Sequence, residues 1–249
     1  MPSLYARELS WPAVKRLAEA NAVALLPVGS TEAHGPHLPL SVDVVIAEEV
    51  ARRTAKRLYA RGERAIIFPA ISYSLTDFAN GFAGTVSVSA QVNEAYLVDV
   101  LVGIARHGFR RIGVLNHHVE PAHFSLVHAA AKAAAQKCGA GIVVPDHRKK
   151  PISPRLGEEF VTGGSHAGRY ETSLVLAAAK ELVDESVRAS LPDFDINLPA
   201  AIKGGARTFE ECGGHEAYFG SPKNATVEEG DRLYEVLADV SEAAVLALP

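Results

Sequence analysis

The chain has 249 residues, a length that fits one large α/β domain or two small ones. Of these residues 48% are hydrophobic and 22% are charged, a composition typical of a soluble globular protein. Its formal net charge of −4 gives no electrostatic reason to expect nucleic acid, and no apolar stretch approaches the roughly 18 residues of a membrane-spanning helix. Cys138 and Cys212 lie too far apart in sequence for a disulfide framework or a thiolate metal motif. The N-terminus shows no signal peptide, so we expect a cytoplasmic protein with neither a nucleic-acid nor a membrane partner.

Apolar periodicity predicts that helices and strands alternate along the chain. The predicted elements are a helix over 5–20, a strand over 22–28, a helix over 44–61, a strand over 64–69, an irregular segment over 71–89, a helix over 92–107, a strand over 111–115, a helix over 122–137, a strand over 141–145, a loop over 151–164, a helix over 171–181, an extended segment over 191–220 and a helix over 226–248. This alternation indicates a mostly parallel central sheet flanked by helices. With no linker or repeat visible, we predict a single α/β domain over 1–249, in which Trp11 anchors the first helix and Thr226 and Glu229 form a capping box.

A polar loop follows the first predicted strand. Residues 29–43 read G-S-T-E-A-H-G-P-H-L-P-L-S-V-D and contain two carboxylates, Glu32 and Asp43, and two imidazoles, His34 and His37. Acids and histidines crowded just past a buried strand are typical of a metal site. The alternative is a polar loop whose histidines cap neighbouring elements.

A second cluster follows the predicted strand over 111–115 and contains Asn116, His117, His118 and Glu120. Because ligands bind at the carboxyl ends of parallel strands, we expect both clusters at one edge of the sheet. Carboxylates and imidazoles together suit Zn²⁺, Mn²⁺ or Fe²⁺. Three carboxylates exceed the usual need of one catalytic zinc, which favours two ions that share a bridging carboxylate.

A third cluster lies on a glycine-flanked loop before a predicted helix. His166 lies on the loop itself, where an imidazole can reach a pocket, and Glu171 falls in the first helical turn, where it either serves the site or caps the helix. Tyr73 precedes another glycine-rich segment and is a further candidate for shaping the pocket.

These clusters resemble the creatininase (creatinine amidohydrolase) family. The family has a G-S-x-E-x-H-G-x-H-L-P…D loop, an N-G-H-x-E/G-N loop and an H-G/A-G-x-x-E-T-S segment. The corresponding residues here begin at Gly29, Asn116 and His166, and Gly81 begins a segment similar to the family's F-P-G-T-x-S. The resemblance implies a parallel sheet flanked by helices, a homo-oligomer that is commonly a hexamer, and a small-molecule substrate.

The resemblance also implies a binuclear site. Glu32, Asp43 and His118 would hold one ion, while His34, Asp43 and Glu120 would hold the other, with Asp43 bridging. It further implies that His166 transfers a proton near the leaving group. His37 is expected to hold a metal-binding side chain in place without binding the ion itself.

Two departures from the family pattern bear on the substrate. His117 stands where the family usually has Gly, and Pro121 where it usually has Asn, so His117 is expected to add a substrate contact or a supporting hydrogen bond. Creatininase has tryptophans that close over creatinine, whereas the only tryptophan here is Trp11. Creatinine is therefore not the expected substrate; other members of the family act on formamides, small peptides or keto-cyclitol rings.

The predicted reaction is metal-dependent hydrolysis of an amide-like C–N bond in a small open or cyclic substrate. A hydroxide held between two ions would attack the carbonyl, and the predicted catalytic residues are His166, which protonates the departing nitrogen, and Glu120. One alternative is a ring-opening hydrolase or isomerase for a cyclic ketone, with the ions stabilising an enolate. The other is a binding module with structural metal, which the lack of cysteine ligands disfavours.

Overall fold

A four-stranded parallel sheet forms the centre of the protein in a computed structural model that describes residues 4–163 and 165–249. The strands are β1 (Val23–Val28), β2 (Ala65–Ile67), β3 (Arg111–Asn116) and β4 (Gly141–Val143). Their order across the sheet is β2-β1-β3-β4, and every pair is parallel. β1 and β3 are buried along their whole length, as expected for central strands covered on both faces.

Helices cover both faces of the sheet. The α-helices in the described residues are α1 (Trp11–Glu19), α2 (Val42–Ala60), α3 (Ala90–Arg106), α4 (Pro121–Cys138), α5 (Glu158–Thr162), α6 (Arg169–Ala179), α7 (Glu185–Ser190), α8 (Leu198–Lys203) and α9 (Val227–Leu246). Short 3₁₀ helices are Ala6–Glu8, Ser153–Leu156, Lys180–Leu182 and Pro222–Asn224. Within this part of the chain no helix has both the length and the apolar character needed to cross a membrane.

Alternate residues of β1 enter two different hydrophobic layers. Val23 and Leu25 pack with α2, α6 and α9 on one face, whereas Ala24 and Leu26 pack with α1, α3 and α4 on the other. This alternation follows from the two-residue period of a strand. The result is a three-layer domain in which the sheet is the middle layer.

The register of β1 and β3 places two loops side by side. Val28 at the end of β1 pairs with Asn116 at the end of β3, and the Val28 carbonyl accepts a hydrogen bond from the backbone N–H of His117 at 3.0 Å. The prediction that the clusters after these two strands share one edge of the sheet is therefore confirmed.

Gly29 allows α2 to begin directly against the end of β1. A Cβ atom at this position would lie 2.7 Å from the backbone nitrogen of Val44 and 2.8 Å from Cβ of Asp43, closer than side chains normally approach. The missing side chain thus brings the first turn of α2, and with it Asp43, to the edge where the polar loops meet.

Several local predictions were wrong. Trp11 is 77% exposed and does not anchor α1 to the core. The predicted loop over 151–164 contains a 3₁₀ turn and α5, and the predicted extended segment over 191–220 contains α8. Half of the predicted capping box forms: the Thr226 hydroxyl accepts the Glu229 N–H at 3.1 Å, whereas the Glu229 carboxylate contacts Arg169 and Ser173.

Candidate metal centre

Six acidic and imidazole side chains meet at the carboxyl edge of the sheet. They form three groups whose ligand atoms lie within 4.8 Å of one another: Glu32, Asp43 and His118; His34, Asp43 and Glu171; and Glu32, His34 and His166. Apart from His166, each of these residues is at most 4% exposed. Buried carboxylates and imidazoles require compensating charge, since an isolated buried ion is costly.

The first group combines Glu32, Asp43 and His118, the set that the family resemblance implied for one ion. Nδ1 of His118 lies 3.4 Å from Glu32 Oε1 and 3.1 Å from Asp43 Oδ2. Nε2 of the same ring donates to the Leu75 carbonyl at 3.0 Å, which leaves Nδ1 to face the carboxylates. A backbone partner on the far nitrogen is the usual way in which a metal-binding histidine is oriented.

The second group places an unpartnered imidazole nitrogen among three carboxylates. Nε2 of His34 is buried and has no hydrogen-bond partner. It lies 3.6 Å from Asp43 Oδ1, 3.6 Å from Glu171 Oε2 and 3.7 Å from Glu32 Oε1, while Nδ1 is 3.1 Å from the Glu32 carbonyl. These distances are too long for hydrogen bonds but suit atoms that surround a common cation, so the residues fit a divalent metal ion.

The ionisation of the cluster shows the same need for positive charge. Burial opposes the charged form of His34, but the nearby carboxylates of Asp43, Glu171 and Glu32 raise its pKa to about 9. Burial raises the pKa of Glu171 to about 8, against the opposing charge of His34. Burial also acts to raise the pKa of Glu32, yet the charge and hydrogen bond of His118 lower it to about 2. Without a metal ion, protons on the imidazoles balance the carboxylates.

Supporting hydrogen bonds hold the carboxylates in place. The Ser30 hydroxyl donates to Asp43 Oδ2 at 2.5 Å, the Thr76 hydroxyl donates to Glu32 Oε2, and the Ala167 N–H donates to Glu171 Oε2 at 2.7 Å. Sequence reasoning missed Ser30 and Thr76 as supports. Ser30 lies inside the 29–43 loop, so its position beside the predicted ligands could have indicated its role. Thr76 lies in an irregular segment, where no periodicity indicates which residues face the site.

Glu120 does not lie in any of the three groups. Its Oε2 accepts the Phe78 N–H at 3.2 Å, and it lines the cavity beside the cluster. Burial raises its pKa above the usual value, against the opposing charge of His118. The structure thus places Glu171, rather than Glu120, with His34 and Asp43.

His166 lies over the cluster at the base of the cavity. Its Nε2 donates to the Ala33 carbonyl at 3.0 Å, so the free Nδ1 faces Glu32 Oε1 at 3.8 Å. The ring packs against the rings of His34 and Phe209 at centroid distances of 4.3 and 4.2 Å. The imidazole is therefore fixed in one orientation with one nitrogen available to the site.

The remaining predicted site residues lie outside the cluster. His37 is buried behind it, with Nε2 2.9 Å from the hydroxyl of Thr172, the residue after Glu171. His117 is buried between the rings of His147 and Tyr170, and neither it nor Tyr73, which is 54% exposed, lines the large cavity. Their placement does not support the predicted substrate contacts of His117 and Tyr73.

A cavity of about 560 Å³ opens above the metal cluster. Glu32, Asp43 and Glu171 form part of its lining together with Glu120 and His166. This volume lies within the range of roughly 300–1,000 Å³ that is typical of small-molecule sites. The arrangement can hold a cation at the base of the cavity and a substrate above it.

Comparisons with known proteins agree with the motifs. The family model for creatinine amidohydrolase (creatininase) matches residues 7–245. The mycofactocin precursor peptide peptidase of Mycolicibacterium smegmatis is 31% identical over 248 residues, which cover 94% of this chain and 91% of the relative. The creatinine amidohydrolase of Pseudomonas putida is 30% identical over 216 residues, covering 78% and 81%.

Solved structures show the same fold. A manganese form of creatininase is 26% identical, with a TM-score of 0.75 over 98% of this chain and 97% of that one. A mutant creatininase of the Zn–Zn type is 25% identical, with a TM-score of 0.74 over 98% of both chains. With the family match over nearly the whole sequence and a buried donor set that fits a divalent ion, the chain belongs to the creatininase family of metal-dependent amidohydrolases.

Proposed function

We propose that this protein hydrolyses an amide-like C–N bond with two divalent transition-metal ions bound per chain. The observation that carries the proposal is the pair of ligand groups that share Asp43, one completed by Glu32 and His118 and the other by His34 and Glu171. A shared carboxylate between two ligand sets is the arrangement of a bridged two-metal site. Zn²⁺, Mn²⁺ and Fe²⁺ all suit these oxygen and nitrogen donors.

In this assignment Glu171 replaces Glu120 as the second ion's carboxylate ligand. The Glu171 carboxylate oxygen lies 3.6 Å from His34 Nε2 and is aimed by the Ala167 N–H. Glu120 is oriented instead by the Phe78 N–H on the cavity wall. We therefore give Glu171 the role of ligand and Glu120 the role of proton transfer.

The ions supply Lewis acidity toward a carbonyl oxygen and lower the pKa of bound water. Hydrolysis requires that water lose a proton as it adds to the carbonyl carbon, and that the departing nitrogen gain one as the C–N bond breaks. Glu120 suits this transfer because burial raises the pKa of its carboxyl group, bringing it closer to neutrality. His166 lines the same cavity, with Nδ1 free to accept or return a proton.

The cavity favours a substrate larger than creatinine. A volume of about 560 Å³ exceeds the needs of a single five-membered ring. The name of the M. smegmatis relative points to a peptide substrate, whereas that of a 28% identical Thermotoga maritima relative, 3-dehydro-scyllo-inosose hydrolase, supports ring opening of a cyclic ketone as the second candidate. A panel of creatinine, formamides, short peptides and keto-inositols distinguishes them.

Metal analysis combined with this panel tests the site. Protein purified without chelator should contain close to two transition-metal equivalents per chain. Asp43→Ala should lose both ions and Glu171→Gln one of them, whereas Glu120→Gln should keep both and lose about 100-fold or more in kcat. Loss of one ion in Glu120→Gln, with both ions retained in Glu171→Gln, would reverse the assignment.

His166 needs its own experiment because it belongs to one of the three ligand groups. In the proton-transfer role, His166→Ala keeps its metal content and loses turnover. In the alternative role of a ligand, the same variant loses an ion. Full activity of His166→Ala on a cleaved substrate would exclude both roles.

Three further features complete the proposal. We expect residues 1–249 to act as one metallohydrolase domain, the chain to form a homo-oligomer, with a hexamer as the expected state, and the protein to work in the cytoplasm on a small molecule. Light scattering on the purified protein measures the oligomeric state; a monomer at micromolar concentration would contradict it.

A further inference from the structure

The walls of the large cavity are mostly apolar above the metal cluster. The apolar side chains that line it include Phe78, Phe160, Val161, Leu198, Ile202 and Phe209. Phe209 packs on both the His166 ring and Phe78, at centroid distances of 4.2 and 5.9 Å. Such a surface removes an apolar group from water and leaves the polar chemistry to the base of the cavity.

The charged side chains outside the catalytic cluster are all basic. Arg148, Lys150 and Lys203 line the cavity and are themselves exposed, so they lie where it meets solvent. Among the residues that the structure describes, every carboxylate in the lining belongs to the metal cluster or to Glu120. A basic mouth is a local feature in a chain whose net charge is −4.

Two of these three cations lack a neutralising partner. Arg148 donates to Asp146 at 3.2 Å and lies over the ring of Phe124. Lys150 and Lys203, in contrast, make no ion pair with any described carboxylate, although they come from different segments of the chain. Their charges therefore remain available to a group that enters the cavity.

We propose that the substrate is an amide with an apolar body and an anionic group, a carboxylate or a phosphate, at the end away from the scissile bond. This inference rests on the hydrolase function proposed above. The scissile bond lies at the metal cluster and the apolar body lies against Phe160, Phe209 and α8. The anionic group lies at the mouth beside Lys150 and Lys203.

Matched probes test the charge requirement on the metal-loaded protein. 4-(2-Formamidoethyl)benzoate, 4-(2-formamidoethyl)phenylphosphonate and the uncharged N-[2-(4-methylphenyl)ethyl]formamide share the scissile formamide bond and the ring, and they differ only in the group at the far end of the ring. Both anionic probes should exceed the neutral one in kcat/KM by about tenfold, through a lower KM that rises with ionic strength. Preference between the carboxylate and the phosphonate identifies the anion.

Reversing the charge of the two lysines at the mouth of the cavity is the second test of the proposal. The double variant Lys150→Glu with Lys203→Glu should bring the ratio of kcat/KM for the charged and neutral probes close to one. Lys132→Glu is the matched control, because Lys132 is exposed on α4 and does not line the cavity. This control should keep the ratio of the unaltered protein.

The outcomes separate the two proposals. Equal kcat/KM for charged and neutral probes, or cleavage of creatinine and formamide but of none of the three larger probes, overturns the inference and leaves the hydrolase function intact. A ratio that survives the double variant overturns the role of the two lysines. Failure to cleave any amide with metal bound overturns both proposals.

Discussion

Asp43 is the residue on which both ligand groups depend. It lies in the first turn of α2 against the end of β1, where Gly29 leaves room for it, and one oxygen faces His34 while the other faces His118. Burial acts to raise the pKa of Asp43, but the nearby imidazoles of His118 and His34 hold it well below its usual value. The carboxylate is thus ionised at neutral pH, as a metal ligand must be.

Ser30→Ala should weaken metal binding without removing a ligand. The buried Ser30 hydroxyl donates to Asp43 Oδ2 at 2.5 Å, and loss of such a supporting hydrogen bond typically costs about 10–100-fold in metal affinity. Competition with a chelator measures the change. Ser125→Ala is the control, because that hydroxyl donates to the Pro121 carbonyl on an exposed surface. Equal affinity in both variants would contradict the supporting role of Ser30.

Metal uptake should release protons at neutral pH. Without ions, the carboxylates of Asp43 and Glu171 raise the pKa of His34 to about 9, those of Glu32 and Asp43 raise the pKa of His118 well above its usual value, and burial raises that of Glu171 to about 8, so all three groups carry protons at pH 7. Metal ligands must lose them, and we expect release of about three protons per chain on loading. Calorimetric titration in buffers of different ionisation enthalpy counts these protons. Binding enthalpies that do not depend on the buffer would contradict the prediction.

At the residue scale, sequence spacing predicted most of the cluster because its members lie directly after buried strands. Glu32, His34 and Asp43 follow β1, and His118 follows β3. The role of Glu171 could not be decided in this way, since a carboxylate in a first helical turn suits a cap as well as a ligand. Its distance from His34 depends on how α6 packs against the sheet, which no local pattern encodes.

At the scale of elements, the long helices and buried strands were predictable, whereas short elements near the cavity were not. α5 has 5 residues and α8 has 6, too few for an apolar period to appear. Trp11 misled for a different reason. A large aromatic residue is usually buried, but Trp11 lies in the first turn of α1 on a side that faces solvent. The cavity walls were thus the part of the site least visible in the sequence.

Alanine substitution at two helical glycines should change the free energy of unfolding in opposite directions, because only one of them lies at the close contact between α6 and α9. A Cβ at Gly230 would overlap the carbonyl of Ser173 on α6, so Gly230→Ala should reduce the free energy of unfolding by about 1–3 kcal/mol. Gly103 in α3 has no neighbour within 4 Å of such a Cβ, and Gly103→Ala should raise it by about 0.5–1 kcal/mol. Urea denaturation measures both.

The same two glycine variants should also differ in how tightly they bind metal. Because α6 carries Glu171, its displacement by Gly230→Ala should also weaken metal binding, while Gly103→Ala should not. A stable Gly230→Ala protein with unaltered metal affinity would show that α6 is not held in position by α9.

At the scale of the whole molecule, buried neutral histidines should make the protein sensitive to acid. Burial, together with the charge of Arg148 and against that of Asp146, lowers the pKa of His147 to about 4. His117, stacked on it, has a pKa of about 3 because of burial and the charge of His147. Neither ring lines the large cavity, so their effect on stability is separate from catalysis.

Proton uptake by His147 determines how its contribution to stability changes with pH. Between pH 6.5 and about 4, the unfolded chain binds a proton at His147 and the folded protein does not, so stability falls as pH falls through this window. Since one pKa unit corresponds to about 1.4 kcal/mol, this residue alone should remove roughly 2 kcal/mol between pH 7.5 and 4.5. Above pH 6.5 it has no such effect.

His147→Phe keeps a ring against His117 and Phe160 but cannot bind the proton. Chelator-treated protein should therefore lose roughly 2 kcal/mol less stability than the unaltered protein between pH 7.5 and 4.5, measured by urea denaturation at each pH. The exposed His215 provides the control, and His215→Phe should keep the original slope. An unchanged slope in His147→Phe would mean that acid sensitivity in this pH range arises elsewhere. His117 and His123 would be the next groups to test, because burial lowers the pKa of each ring from 6.5 to about 3.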